Sequence, residues 1–237
     1  MGLKAVVACL HHDPARVARL HEGDDLGLSA EEAGWLRAVP RAAWGVDPMR
    51  ARRVAGALIE EFPQTAAIVG RDRVMEFCAS AAFLSVCEGE GNLASAFAGW
   101  VDAGSTARLE GAMAQARRGG VAVVEVPASV MSAWQARVDG ALAERVAHGA
   151  RLSRPPEEGD GAWVLAESRG GDVSVAELPE ALARLVIYGL LGRTREELVE
   201  EARRLGAEDD AEVVVDELLE LGTVRALARP AGTGASE

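Results

Sequence analysis

The 237-residue chain predicts an α+β fold, mostly α: a helical part, then a smaller part that begins with strands and ends with helices. Three observations predict this. Up to about residue 118, short apolar-periodic segments alternate with capping signals such as Ser29 with Glu32, Pro48 and Gly70, the pattern of successive short helices. From Ala150 the texture changes to β-branched and aromatic residues bounded by glycine, which supports hairpin pairing. From Pro179 helical spacing returns, with capping pairs at Thr194/Glu197 and Asp209/Glu212.

In order, "LSAEEAGWLRAV" is a helix capped by Ser29. "VDPMRARRVAGALIEEFP" takes Asp47 as N-cap and Pro48 as first helical residue. Its Ala51, Val54, Ala55, Leu58 and Phe62 share a face, and Pro63 ends it. "QTAAIVG" is a short helix closed by Gly70. "RDRVMEFCASAAFLSVC" reads as one helix, with Val74, Phe77, Ala81 and Leu84 inward. "NLASAFAGWV" turns Leu93, Phe97 and Trp100 inward, and "STARLEGAMAQARR" stops at Gly119-Gly120. Short helices with short loops predict a compact bundle. "VAVVEVP" (121–127) is extended or irregular, and a helix runs from Ser129 to about His148.

"ARLSRP", starting at Ala150, is the expected first strand. "AWVLAES" is the second, "RGG" a turn and "DVSVAEL" the third. Helices opening at Pro179, Thr194 and Asp209 follow, then "TVRALA" as a closing strand. The order β-β-β-α-α-α is that of a winged helix. The expected organisation is therefore a helical domain over 1–149, a winged-helix domain over 150–228, and a disordered tail over 229–237.

A winged helix usually reads DNA with a basic or amide-bearing helix. Here that helix, "DDAEVVVDELLELG", carries Asp209, Asp210, Glu212, Asp216, Glu217 and Glu220, with no Lys, Arg, Asn or Gln. The whole chain has a formal net charge of −12. Such a surface is repelled by phosphate backbones and anionic membranes, so neither nucleic acid nor membrane is expected as a partner. What an acidic helix beside a sheet edge suits is a peptide. Asp172, Val173, Ser174, Val175, Ala176, Glu177 and Leu178 form the last strand, whose open edge can accept an extended segment. Val213, Asp216, Glu217 and Glu220 would form the opposite wall and select basic side chains. For any single acid, a solvated helix face is the simpler reading.

The remaining chemistry-bearing residues form no recognisable catalytic set. Cys9, Cys78 and Cys87 are odd in number and irregular in spacing, so no disulfide framework is expected. His11, His12 and His21 lie among Asp13, Glu22, Asp24 and Asp25 in a segment that reads as loop, with no helix-borne ligand spacing. No catalytic and no metal-binding residue is assigned. Trp35 and Trp44 are candidates for subunit contact. The apolar run Ala5–Leu10 is too short for a signal peptide, and a cytoplasmic protein is expected.

The stretch from "ARLSRP" through "AWVLAESRGGDVSVAELPEALARLVIYGLLGRTREELVEEARRLGAEDDAEVVVDELLELGTV" resembles the PqqD-like peptide-recognition element of ribosomal peptide natural-product pathways. The likeness rests on a hairpin, a helix, "G-R-T-x-E-E-L" and an acidic helix ending "L-x-x-L-G". Upstream, the "L-x-x-x-F-P-x-T-x-x-x-V-G" step at Leu58–Gly70, the "F-A-x-W" helix at Phe97–Trp100 and "A-R-L-E-x-A" at Ala107–Ala112 are similar to another family. These are the helical domains of partner proteins of multinuclear non-heme iron oxidative enzymes, as in methanobactin and thiaglutamate biosynthesis. Together the resemblances imply a non-catalytic, cofactor-free partner subunit. It would form a heterodimer with an iron-bearing oxidase, bind the leader of a precursor peptide and present the core, with its cysteine, to that enzyme. Residues 121–148 match nothing in the family. The alternative is a winged-helix transcriptional regulator.

Overall fold

The computed structural model describes residues 2–44, 48–89, 91–137 and 140–227. It is an α+β structure, mostly helical, with one three-stranded antiparallel sheet. The chain forms two compact units, Met1–Gly111 with Ser132–Glu157, and Ala112–Met131 with Glu158–Glu237. The expected single boundary at residue 149 is thus replaced by three crossings of the chain.

The first unit contains α1 (Leu3–Leu10), α2 (Pro14–His21), α3 (Ala30–Ala38), α4 (Pro48–Glu61), α5 (Pro63–Val69), α6 (Arg71–Phe77), α7 (Ala81–Cys87), α8 (Leu93–Trp100) and the start of α9 (Ser105–Gly119). Local chemistry sets the helix ends. Asp13 accepts the N–H groups of Ala15 and Arg16, so the histidine-rich segment expected to be loop is a helix–helix corner. Ser29 and Glu32 form the predicted reciprocal cap. Pro63 both ends α4 and opens α5, because a proline at the first helical position forfeits no hydrogen bond. The Asp47 cap expected for α4 lies outside the described residues.

The helix expected over 71–87 is two helices. Ser80 accepts the Phe83 N–H and starts a new one, which exposes Ala81 and buries Phe83 in its place. Phe77 then meets Phe83, Phe97 and Trp100 at ring-centroid distances of 5.6, 5.2 and 5.4 Å, and Phe62 meets Phe97 at 5.1 Å. Val6, Leu10, Val17, Leu20, Leu36 and Trp44 form a further core.

Ala150–Pro155, expected as the first strand, is not a strand. It runs as a strap within the first unit. The Leu152 N–H donates to Ala67 O (3.0 Å), Arg137 donates to Ser153 O, and Arg154 donates to both Asp102 oxygens, backbone and side chain. Glu157 accepts the Ser105 N–H at 2.8 Å and so caps α9. Pro155 and Pro156 lack the N–H groups a ladder needs.

The sheet's first strand is β1 (Val121–Pro127), the segment read as extended or irregular. It pairs with β2 (Gly161–Arg169), which pairs with β3 (Asp172–Leu178), in the order β1-β2-β3. Alternation distributes the side chains. Ala122, Val124, Ala166 and Val173 meet Ala112, Met113 and Ala116 of α9 on one face. Val121, Val123 and Leu165 meet the helical core on the other, formed by Leu185, Val186, Leu198, Val199, Ala202, Ala211, Val215 and Val224. A strand covered on both faces reads as a continuous apolar run, which is why "VAVVEVP" lacks polar alternation.

The helix expected from Ser129 to His148 is two, α10 (Ala128–Ala136) and α11 (Leu142–Ala147). After the sheet come α12 (Glu180–Leu190), α13 (Arg195–Ala202) and α14 (Ala211–Glu220). Between α13 and α14 the chain reverses at Gly206, whose φ of 99° is natural only to glycine. The closing strand reduces to a single bridge between Arg193 and Ala226. The tail expected to be disordered lies outside the described residues. Among the described residues no helix is long and apolar enough to cross a membrane.

Candidate peptide-binding site

The hairpin that presents β3 turns at Gly170-Gly171, with φ of 64° and 97°. Two positive φ values in a two-residue loop match the twist of the flanking strands, and only glycine adopts them freely. β3 therefore stands at the sheet edge. It pairs with β2 through Arg169↔Asp172 to Trp163↔Leu178, and among the described residues no strand lies on its other side. Val173, Val175 and Leu178 are half-buried, while Asp172, Ser174, Ala176 and Glu177 are exposed.

Directly after Leu178 the chain enters an apolar groove of about 440 Å³. One wall is Pro179 with Ala181, Leu182 and Leu185 of α12. Ala202, Leu205, Gly206 and Ala207 also line the groove, as do Val214, Glu217 and Leu218 of α14 and Leu221 just past its end. The structure thus separates what the sequence put together. β3 supplies none of the lining residues, and of the predicted acidic wall only Glu217 lines the groove.

The other wall residues have distinct placements. Val213 is 58% exposed on α14. Asp216 is engaged by Arg195 of α13 through two 2.8 Å bonds, and that guanidinium holds its carboxyl below the usual aspartate range. Glu212, too, lies 3.4 Å from Arg203 and 3.8 Å from Arg195. Glu217 and Glu220 are exposed and make no ion pair among the described residues, so they carry the uncompensated charge beside the groove.

If the acids of α14 form a solvated face, helical spacing puts Val214, Leu218 and Leu221 on the face turned to the core. Val214 and Leu218 are half-buried and Leu221 is 58% exposed. A usable signal was the surplus of apolar residues in "ALARLVIYGLL", more than one buried face requires.

The cysteines and the N-terminal pair His11 and His12 are engaged in packing. Cys9 and Cys78 are buried, and burial pushes the Cys87 thiol up to about 11. His11 packs on Trp44 and His12 edge-on to Phe83. Asp24 and Asp25 pair with Arg19 and Arg37. Among the described residues no group of three or more His, Cys, Asp or Glu is placed to hold a metal ion. Trp44, a candidate for subunit contact, is instead core, whereas Trp35 is 58% exposed. No family model, characterised protein or solved structure matches the chain.

Proposed function

We propose that this chain is a peptide-binding accessory subunit whose second unit acts as a winged-helix peptide-recognition element. The observation that carries the reading is the open edge of β3, running at Pro179 into an apolar groove lined by the unpaired acid Glu217, with the unpaired Glu220 three residues further along α14. An extended segment laid along β3 gains main-chain hydrogen bonds. Its apolar side chains then fill the groove past Pro179, and its basic side chains meet Glu217 and Glu220. No base stands on α14 to meet a phosphate backbone, which disfavours the regulator reading.

The resemblance of the sequence to partner subunits of iron oxidative enzymes supports a more specific form. The peptide is the leader of a ribosomally made precursor, the first unit docks on a separate iron enzyme, and that enzyme modifies the core, with its cysteine. This chain then needs no cofactor and no catalytic residue of its own.

Fluorescence anisotropy of a labelled basic-amphipathic leader peptide tests the reading. Consecutive N–H groups of a strand point to opposite sides, so one of Ser174 and Val175 presents its N–H outward. Ser174→Pro and Val175→Pro are therefore made as a pair. In the one that keeps its fold by circular dichroism, leader binding should fall by at least about tenfold. Unchanged affinity in both would remove β3 as the binding edge, and failure of the wild-type chain to bind any such leader would sink the proposal.

A further inference from the structure

The strongest unassigned feature lies in the first unit, where residues 71–72 and 147–151 surround a notch of about 480 Å³. Arg71 and Arg151 both line it, together with His148 and Asp72. The Arg151 guanidinium lies against the backbone of Gly70, so closely that a Cβ there would overlap it. Gly70 has a φ of 86°, which favours glycine at the α5–α6 junction, and a side chain there would also push the Arg151 guanidinium away. Arg71 is steadied by a 3.3 Å bond from its Nη1 to Ala147 O, and His148 by Nδ1 against Glu144 O at 2.8 Å.

The notch concentrates positive charge on an acidic chain. The chain is acidic, and Arg16, Arg19, Arg37 and Arg73 of the same unit each hold a carboxylate. Arg71 and Arg151 have no carboxylate partner among the described residues, and Asp72, the one acid lining the notch, pairs with neither. Two exposed arginines beside one notch set up a local positive potential that a bound anion would relieve. A guanidinium fork matches the oxygens of a tetrahedral oxyanion two at a time.

We propose that this notch binds an oxyanion of the phosphate class, with Arg71 and Arg151 as its ligands and Asp72 as the group that limits its affinity. This site is independent of the peptide groove.

Calorimetric titration of the full chain with inorganic phosphate, with phenyl phosphate and with acetate, at constant ionic strength, tests it. Saturable phosphate binding is expected, weakened at least about tenfold in Arg71→Ala and Arg151→Ala and tightened in Asp72→Asn. Arg151→Lys keeps the charge and loses the fork, and should fall between. Phenyl phosphate binding as well would identify an esterified phosphate as an acceptable source. Its exclusion would point to the free ion, and both results support the site. Acetate binding as tightly as phosphate would overturn the ligand class. Absent phosphate binding, or binding unchanged in both alanine variants, would overturn the site.

Discussion

At the scale of single residues, carboxylates aimed at helix starts do much of the organising. Glu110, only 2% exposed, accepts the Gln64 N–H at 3.0 Å and the Thr65 N–H at 2.8 Å, and so satisfies two orphan donors at the start of α5. Removing it leaves both donors buried and unpaired. Glu110→Ala is expected to cost about 2–4 kcal/mol of stability in denaturant unfolding, with Glu110→Gln costing less. Glu157 caps α9 from the exposed strap. Its carboxyl is held below its ordinary 4.5, first by the Ser105 N–H and then by the Ser105 hydroxyl, Arg108 and Arg154. A depressed folded pKa contributes stability above the unfolded value, and that contribution is lost as pH falls through the folded one. Below pH 4.5 the wild-type melting temperature should therefore fall more steeply than that of Glu157→Gln, as thermal melts across that range will read.

At the scale of elements, α14 is amphipathic in an unusual way. It buries Ala211 and Val215, offers Arg195 the carboxylates of Glu212 and Asp216, and leaves Val214 and Leu218 along a groove that Leu221, at the helix C-cap, also lines. The ion pairs with Arg195 hold α14 to α13, so Arg195→Ala should destabilise the second unit slightly and affect peptide binding only indirectly. Leu218→Asp places a charge in the groove wall. It should reduce leader affinity at least about tenfold in anisotropy while leaving circular dichroism unchanged, because Leu218 is only half-buried. Equal affinity in this variant would mean that the peptide does not use the groove.

At the scale of the whole molecule, the chain's route decides what can fold alone. A fragment starting at Ala150 contains β2, β3 and α12 to α14 but lacks β1 and the α9 residues that cover one sheet face. It should show weak near-ultraviolet signal and a broad, non-cooperative melt, because a two-stranded hairpin with an uncovered apolar face is marginal. A fragment starting at Ala112 restores β1 and the α9 cover and should melt cooperatively. A sharp transition in the shorter fragment would show that β1 is dispensable.

The legible parts of this fold were local ones. Ser29 with Glu32 and Thr194 with Glu197 form their reciprocal caps, Gly170-Gly171 makes the hairpin, and "AWVLAES" and "DVSVAEL" pair as expected. Each is written in a few adjacent residues, where propensity and turn chemistry act without distant partners. Illegible was the identity of the first strand. "VAVVEVP" is a short apolar run that fits a strand or a buried irregular segment, "ARLSRP" a short mixed one bounded by proline, and the choice between them depends on pairing with the distant β2 and on the alanines of α9 that cover the sheet. The candidate site divides the same way. By itself the sequence determined an exposed edge strand and an acidic helix. Only the tertiary structure decided that Arg195 takes Asp216 out of play, that Leu218 and Leu221 face a groove, and that Arg71 and Arg151 share a notch, because side-chain partners and cavities exist only once distant segments have packed.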